Sequence, residues 1–548
     1  MRMRYGIVGI LFFLWPVVVT GQVTKKADRW FEQGAYYNAL QEYRRLLAEN
    51  KAGNEEAYVE FQAGVCCFRM NRYNHALEWF QSAERKGSVR PELKKFLGET
   101  YLITGNYREA ENCFGLYLKQ NGDDSLIRTK IASCRFAKNA PAINSGVRFK
   151  PMPYINTRGS EYGISFLPEG ILYSSTSDLL PEKRREISQR TGMGYSNPYL
   201  SVFRDGEYQP GRMLKGIGNR TANDGSFSFD RTNGLLYCTR CEEDNTNCRI
   251  LLARLKNNRY RIVDALKIGE RSYNIAHPFI ANNGSRIYFS STMEGGYGGS
   301  DIWYSDKDAR GKWMEPQNAG PGINTEGNEV FPYIWGDWFF FASDGHVGFG
   351  GLDIYKVPVN SRGFGKVENL GAGFNTSYDD FNLVIDEDGL SGLLVSNRVP
   401  ERSDEVYRFV MNDDELLGGR ETNDKTVVKS EELKVIPVEK SDVLGEAIIL
   451  RGTVDTLRKN YRLNVKTGDV SEAGWWVQVA MLMKSKIISF DLAMKVTNLT
   501  GHRIVMYKGS DGGHRFYIGV FNNEQEARSA VALLKDAGVD CFIKNVTE

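Results

Sequence analysis

Tyr288-Phe289-Ser290-Ser291, followed by Gly299-Ser300-Asp301-Ile302-Trp303-Tyr304, is the stretch from which the middle of this 548-residue chain is read. The first half recurs as Leu172-Tyr173-Ser174-Ser175, Leu236-Tyr237-Cys238-Thr239, Phe340-Phe341-Ala342-Ser343 and Leu394-Val395-Ser396-Asn397. The last three intervals are about 52 residues, and the first is longer because Pro181 to Gly192 reads as an inserted loop. The second half recurs as Gly351-Leu352-Asp353-Ile354-Tyr355 and, more loosely, as Asp404-Glu405-Val406-Tyr407. An acidic or polar position lies ahead of each strand, as in Glu161-Tyr162-Gly163, Asp224-Gly225-Ser226-Phe227 and Glu329-Val330-Phe331-Pro332. A period near 50 with several short strands per unit is what a propeller blade needs. Residues 147–412 therefore read as an all-β propeller of five blades, or six if one is degenerate. The Asp301 and Asp353 carboxylates are expected to accept from turn amides; a calcium site is the alternative, and the loops lack the dense carboxylates that calcium takes.

Ahead of this region, residues 23–140 carry a helical pattern that repeats at about 34 residues. Gly64 recurs as Gly98, and Tyr73, Ala76 and Phe80 recur as Tyr107, Ala110 and Phe114; Gly34-Ala35-Tyr36 with Ala39 and Tyr43 is an earlier copy. Small residues are needed where paired helices approach closely, and aromatics fill the gap to the next pair. Leu126 to Phe136 reads as a capping helix.

The end of the chain, residues 474–548, alternates strand and helix signals. Trp475-Trp476-Val477-Gln478-Val479-Ala480 is a half-buried strand pattern, Ile488 to Leu499 a helix, and His502 to Tyr507 and His514 to Phe521 are two further strands. Asn523 caps a second helix that ends at Gly538, and Cys541-Phe542-Ile543 is a last strand. Two helices on one face of a four-stranded sheet leave the other face open. Alternation points Trp476, Gln478, Arg515 and Tyr517 to that open face.

These three segments resemble known families. The helical repeats resemble the tetratricopeptide family, whose stacked helix pairs present a concave surface to proteins or peptides. The Tyr-Phe-Ser-Ser and Gly-Gly-x-Asp-Ile-Tyr signatures resemble the WD40-like repeat of TolB-type periplasmic propellers. The last stretch resembles the SPOR family, a ferredoxin-like α+β fold that binds peptidoglycan glycan strands stripped of their peptides. That resemblance rests on Trp475 to Val479, His514 to Phe521 and Asn523 to Gly538, and it implies Trp476, Gln478, Arg515 and Tyr517 as the glycan contact. Ala480-Met481 stands where the family has a Gly or Ser pair, and Gly519-Val520 where it has Gly-Pro.

Composition bounds the rest. A net charge of +2 argues against a nucleic-acid partner. Arg2 and Arg4, the apolar run Ile7 to Val19 and Val19-Thr20-Gly21 read as a signal peptide over residues 1–21, with no later run long enough to span a bilayer. The eight cysteines are thus read in an oxidising periplasm. Cys248 is expected to pair with Cys238 or Cys241 across a hairpin loop, with zinc the alternative. Residues 413–473 shift to mixed charge and read as a linker, with Glu446 to Val454 and Tyr461 to Val465 forming a small hairpin. No Gly-x-Ser-x-Gly elbow and no His-Glu-x-x-His helix occurs, so the expectation is no enzyme, no cofactor and no metal.

The order of the segments resembles accessory proteins of the type IX secretion system. It implies a non-catalytic periplasmic adaptor that ties an outer-membrane-associated complex to peptidoglycan and docks proteins on its first two domains. A cell-division or wall-remodelling factor drawn to denuded septal glycan is the alternative.

Overall fold

The computed structural model describes residues 23–411, apart from short segments of which 141–145 and 177–185 are the longest, and then 465–467, 474–482, 504–508, 514–521, 524–536 and 541–546. The signal-peptide stretch, the linker over 423–440 and the helix expected over 488–499 lie outside the described residues. The helices and all of the propeller but Phe203–Tyr208 and Ile385–Ser391 belong to one compact unit, and the strands from Val465 onward to another.

Among the described residues of the first unit seven α-helices come first: α1 (Lys25–Glu32), α2 (Tyr36–Ala48), α3 (Glu56–Arg69), α4 (Tyr73–Arg85), α5 (Glu92–Ile103), α6 (Tyr107–Asn121) and α7 (Ser125–Asn139). Each lies against the next. In α4 the buried residues are Tyr73, Ala76, Phe80 and Ala83, a single stripe at helical spacing. Glycine is required at 64 because a Cβ there would stand 2.5 Å from the Phe80 ring; at 98 the same clash, 2.6 Å, would be with Phe114. The rings released by these glycines carry the core: Phe80 stacks on Phe96 at 5.5 Å, and Phe61 meets both.

The propeller has five blades, each an antiparallel sheet. Their first strands are Glu161–Leu167, Asn223–Asp230, Ile275–Ala281, Glu329–Trp335 and Asp380–Ile385, and neighbouring blades meet through them around the axis. The hydrophobic-Ser-Ser runs are the second strands, buried throughout at Leu172, Leu236, Phe289, Phe341 and Leu394. Third strands begin at Asp301, Asp353 and Glu405 in the last three blades. Val147–Pro151 pairs with Glu405–Met411, so the strand that enters the propeller completes its last blade and closes the ring.

The acidic position ahead of each strand now has a physical reason. Glu329 accepts from the Thr325 amide at 2.8 Å, the Thr325 hydroxyl at 2.6 Å and the Ser343 hydroxyl at 2.7 Å. Glu161 repeats this with Thr157 and Ser175. In blades 2 and 5 an arginine takes the part of the serine, Arg240 on Asp224 and Arg398 on Asp380. Burial pushes the Glu329 carboxyl up to about 7 and raises Glu161 and Asp224.

Two residues after this position the chain turns to positive φ in all five blades, at Gly163, Ser226, His277, Phe331 and Asn382. In the first four the strand pairing shifts register there, a bulge that opens the inner strand. The bulges interlock around the axis: the His277 ring lies 4.0 Å from Phe331, Phe331 lies 5.0 Å from Phe381, and the Asn382 side chain accepts from the Ile164 amide at 2.6 Å.

Among the described residues a two-bond clamp by one side-chain amide joins consecutive blades at three seams. Asn324 accepts from the Ile302 amide at 2.8 Å and donates to its carbonyl at 3.0 Å. Asn375 does the same to Ile354, and Asn156 to Val406 across the closing seam. Asp301 accepts from the Tyr297 and Gly298 amides, and Asp353 from the Phe349 amide, as the turn reading expects.

In the second unit the sheet order places Val465–Thr467, Ile504–Lys508, His514–Phe521, Gly474–Leu482 and Phe542–Val546 side by side. The first of these pairs parallel with Ile504–Lys508, which makes it a fifth strand of this sheet; the hairpin partner expected over 446–454 lies outside the described residues. A further helix, α8 (Glu524–Asp536), buries Ala527, Ala530 and Leu534 on one face and lies against three of the strands.

Blade 3 breaks the carboxylate rule: Ile275 stands at the acidic position, and the Ser291 hydroxyl, which matches Ser175 and Ser343, is buried without a partner. A buried hydroxyl left unpaired costs about 1–3 kcal/mol. Ser291→Ala should therefore be neutral or stabilising by up to about 1 kcal/mol, whereas Ser343→Ala should lose about 1–3 kcal/mol. Urea unfolding of the two variants checks this; equal losses would contradict it.

Candidate functional site

The helices sit on the propeller face formed by the loops before the first strands and after the second strands. The inserted loop of blade 1 meets them first. The Gln189 carbonyl accepts from the Tyr37 amide at 3.1 Å and from the Asn38 amide at 3.3 Å, and the Arg190 carbonyl accepts from Tyr37 at 3.1 Å. These are first-turn donors of α2, whose N-cap, Ala35, offers no side-chain acceptor, so the propeller loop caps the helix. Further along, Lys130 donates to the Asp344 carbonyl at 2.6 Å, Ser133 accepts from the Gly348 amide at 3.2 Å, and Phe136 meets Phe349 at 5.2 Å.

Between these contacts lies a cavity of about 390 Å³, lined from the helices by residues 70–75 and from the propeller by Arg158, Ser160, Tyr378, Asn397, Arg402 and Asp404, among others. The Tyr73 hydroxyl donates to Asp379 at 3.0 Å; Asp379 also accepts from the Leu352 amide at 2.9 Å and the Asn397 side chain at 2.8 Å. Ser160 donates to Asp404. Burial raises Asp379, with the Asp380 charge adding to it, and pushes Asp404 up to about 6, with the Asp379 charge adding to it. Arg402 pairs with Glu405 at 2.7 Å, and Arg72 donates to the Thr191 carbonyl at 3.4 Å. The cavity thus presents guanidinium groups beside a carboxyl that changes charge close to neutral pH. None of these residues was singled out as a site from sequence. Tyr73 and Asp404 were legible only as repeat positions, and their meeting depends on how two segments dock.

The residues expected to contact glycan are placed as follows. Gln478 and Tyr517 are register partners on adjacent strands, Trp476 pairs with Lys544, and Arg515 pairs with Met481. Register shifts at Trp475/Val477 and Gln478/Ala480 interrupt strict alternation. Tyr517 is corrected: it is buried, 1% exposed, and not open to solvent. It lies on the central strand of the sheet, paired on one edge with Gln478 and on the other with Val505, and its neighbour Ile518 is buried too. Cys241 and Cys248 are joined by a disulfide across the blade 2 hairpin, and Cys238 is buried as a free thiol. Among the described residues no group of three or more His, Cys, Asp or Glu is placed to hold a metal ion.

No protein-family model and no curated protein matches the chain. Solved structures similar to it include an exo-β-1,3-galactanase from Clostridium thermocellum, at 10% identity and TM-score 0.29, where the match covers 48% of this chain and 62% of that one. An α-L-arabinofuranosidase from Lactobacillus brevis matches at 9% identity and TM-score 0.30, over 48% of this chain and 94% of that one. A GH43 β-1,3-galactosidase matches at 8% identity and TM-score 0.31, over 48% and 92%. The expectation that the chain is not an enzyme is accordingly withdrawn: the three structures named are glycosidases, and none of the motifs sought in the sequence was one that glycoside hydrolysis needs. At these identities and TM-scores the likeness brings neither activity nor substrate to this chain.

Asp404 gives the site a measurable pH signature. Its carboxyl titrates higher in the folded than in the unfolded chain, so the folded state holds the extra proton. Stability from this group is fully present below its unfolded value near 4 and is lost as pH rises through about 6. Asp404→Asn should remove that loss, gaining on the parent by about 1–3 kcal/mol between pH 4 and 6.5. Denaturant unfolding across this range checks it; parallel curves for parent and variant would contradict it.

Proposed function

We propose that the chain is a cell-envelope adaptor whose helical region and propeller dock partner proteins while its C-terminal sheet holds peptidoglycan glycan strands. In this reading the helices are tetratricopeptide repeats, the propeller is of the TolB type, and the last unit is a SPOR domain. The setting is the bacterial periplasm near the outer membrane, where the chain would anchor a type IX secretion-like complex to the wall.

The observation that carries the reading is the arrangement of the last unit. Gly474–Leu482 and His514–Phe521, which hold the residues of the SPOR resemblance, are paired with each other, and α8 covers the sheet with its alanine stripe. The docking half is supported by the helices resting on the loop face of the propeller, which makes one platform of two repeat arrays. Among the described residues no helix is long and apolar enough to cross a membrane.

Gln478 and Arg515 supply amide and guanidinium donors suited to sugar hydroxyl and acetamide groups. Replacing both by Ala should weaken pelleting with purified sacculi about tenfold, since each polar contact contributes about 0.5–1.5 kcal/mol. Tyr517→Ala should act differently, lowering the melting temperature of the unit because it empties a buried site. A folded double variant that pellets like the parent would overturn the wall-binding half of the proposal.

A further inference from the structure

We propose that the cavity between the helices and the propeller receives a carboxylate-bearing peptide segment of a partner protein. This rests on the docking reading above but not on wall binding. Arg72 comes to the cavity from the helices, and Arg158 and Arg402 come from the propeller. Arg72 is held by the Thr191 carbonyl and Arg402 by Glu405, and both Arg402 and Arg158 are exposed. A guanidinium fork matches a carboxylate bidentately, and Arg72 and Arg158, which among the described residues form no ion pair, favour an anionic group beside Arg402, whose charge Glu405 already meets. The acid on the wall is already engaged: Asp404 accepts from the Ser160 hydroxyl, and the guanidinium groups around the cavity outnumber it.

The rest of the lining suits a peptide rather than a bare ion. Met70, Met193, Tyr73 and Tyr378 offer apolar surface, and Asn74 and Asn397 offer amides. At about 390 Å³ the cavity is in the range of small-ligand sites and admits a chain segment, not a domain. The fold also holds an internal precedent. At the start of α2 the Tyr37 and Asn38 amides are taken by peptide carbonyls of Gln189 and Arg190. Asn74 and His75, the matching positions of α4, line the cavity, and their amides have no acceptor within the helix. A peptide chain is thus already the partner of one such helix start, and the next one faces the cavity.

The test is fluorescence anisotropy with the full chain and three dye-labelled, alanine-rich tetrapeptides: one with a free C-terminal carboxylate, its C-terminal amide, and the amide carrying one glutamate. The carboxylate-bearing peptides should bind at least about tenfold more tightly than the neutral amide, with affinity falling as salt is raised. Tighter binding of the free terminus identifies a protein C-terminus as the ligand, and tighter binding of the glutamate peptide identifies an acidic side chain. Arg158→Glu should lose at least about tenfold for both, and Arg158→Gln a smaller part, at unchanged melting temperature. Equal binding of all three peptides, no saturable binding of any, or unchanged affinity in folded Arg158→Glu would overturn the proposal. If the peptides fail while the chain still pellets with sacculi, the cavity proposal falls and the wall-binding reading stands.

Discussion

The side-chain amide of Asn156 accepts from the amide of Val406 at 2.8 Å and donates to its carbonyl at 3.0 Å, and in doing so it stitches the first blade to the last. A propeller is a closed ring of sheets, and each blade buries its faces only against its neighbours, so an open seam would expose two apolar faces together. The closing seam is reinforced twice more. Val147–Pro151 adds the outer strand to blade 5, and the Glu161 amide donates to the Asp404 carbonyl at 2.9 Å. Asn324 and Asn375 use the same two-bond clamp at other seams. Each gives a third-strand amide its acceptor, while the carbonyl of the same residue also accepts from a second backbone amide.

The loops that the clamps pin are the ones on which the helices rest. Asn375 opens the turn that leads through Thr376 to Asp379, and Asp379 receives the Tyr73 hydroxyl. Asn156 opens the turn that carries Arg158 and Ser160 to the cavity. The ring closure therefore positions the cavity walls as well as the blades, and the raised carboxyls of Asp379 and Asp404 follow from the burial that docking imposes. Holding such groups in place is costly, and the hydroxyl and amide donors around them offset that cost.

Much of this architecture was legible in the chain. Tyr288-Phe289-Ser290-Ser291 and its four copies are the second strands because four consecutive buried residues repeat wherever a strand must fill a blade, and in blades 1 and 4 the terminal serine also holds the neighbouring glutamate. Gly64 and Gly98 were legible as close-approach positions, and the Phe80 and Phe114 rings occupy the space they leave. The docking of helices on the propeller was not legible, because it rests on pairs such as Tyr73 with Asp379 and Lys130 with Asp344, which no local period connects. The loop from Pro181 to Gly192 was recognisable as an insertion, yet its part in capping α2 depends on backbone carbonyls, which carry no sequence signal. Tyr517 was misplaced by strict alternation: the strand is central, and alternation alone does not tell whether both faces of a central strand are covered.

The closing seam is as firm as the rest of the ring, so that platform and cavity form one body. Native-state hydrogen exchange at the Val406, Ile302 and Ile354 amides tests it most directly, because each donates to the clamp asparagine of a neighbouring blade. The account predicts that all three exchange only through global unfolding, with matching free energies and matching sensitivity to denaturant. Fast, denaturant-insensitive exchange at Val406, with Ile302 and Ile354 still protected, would show the ring opening at the Asn156 seam and would contradict it.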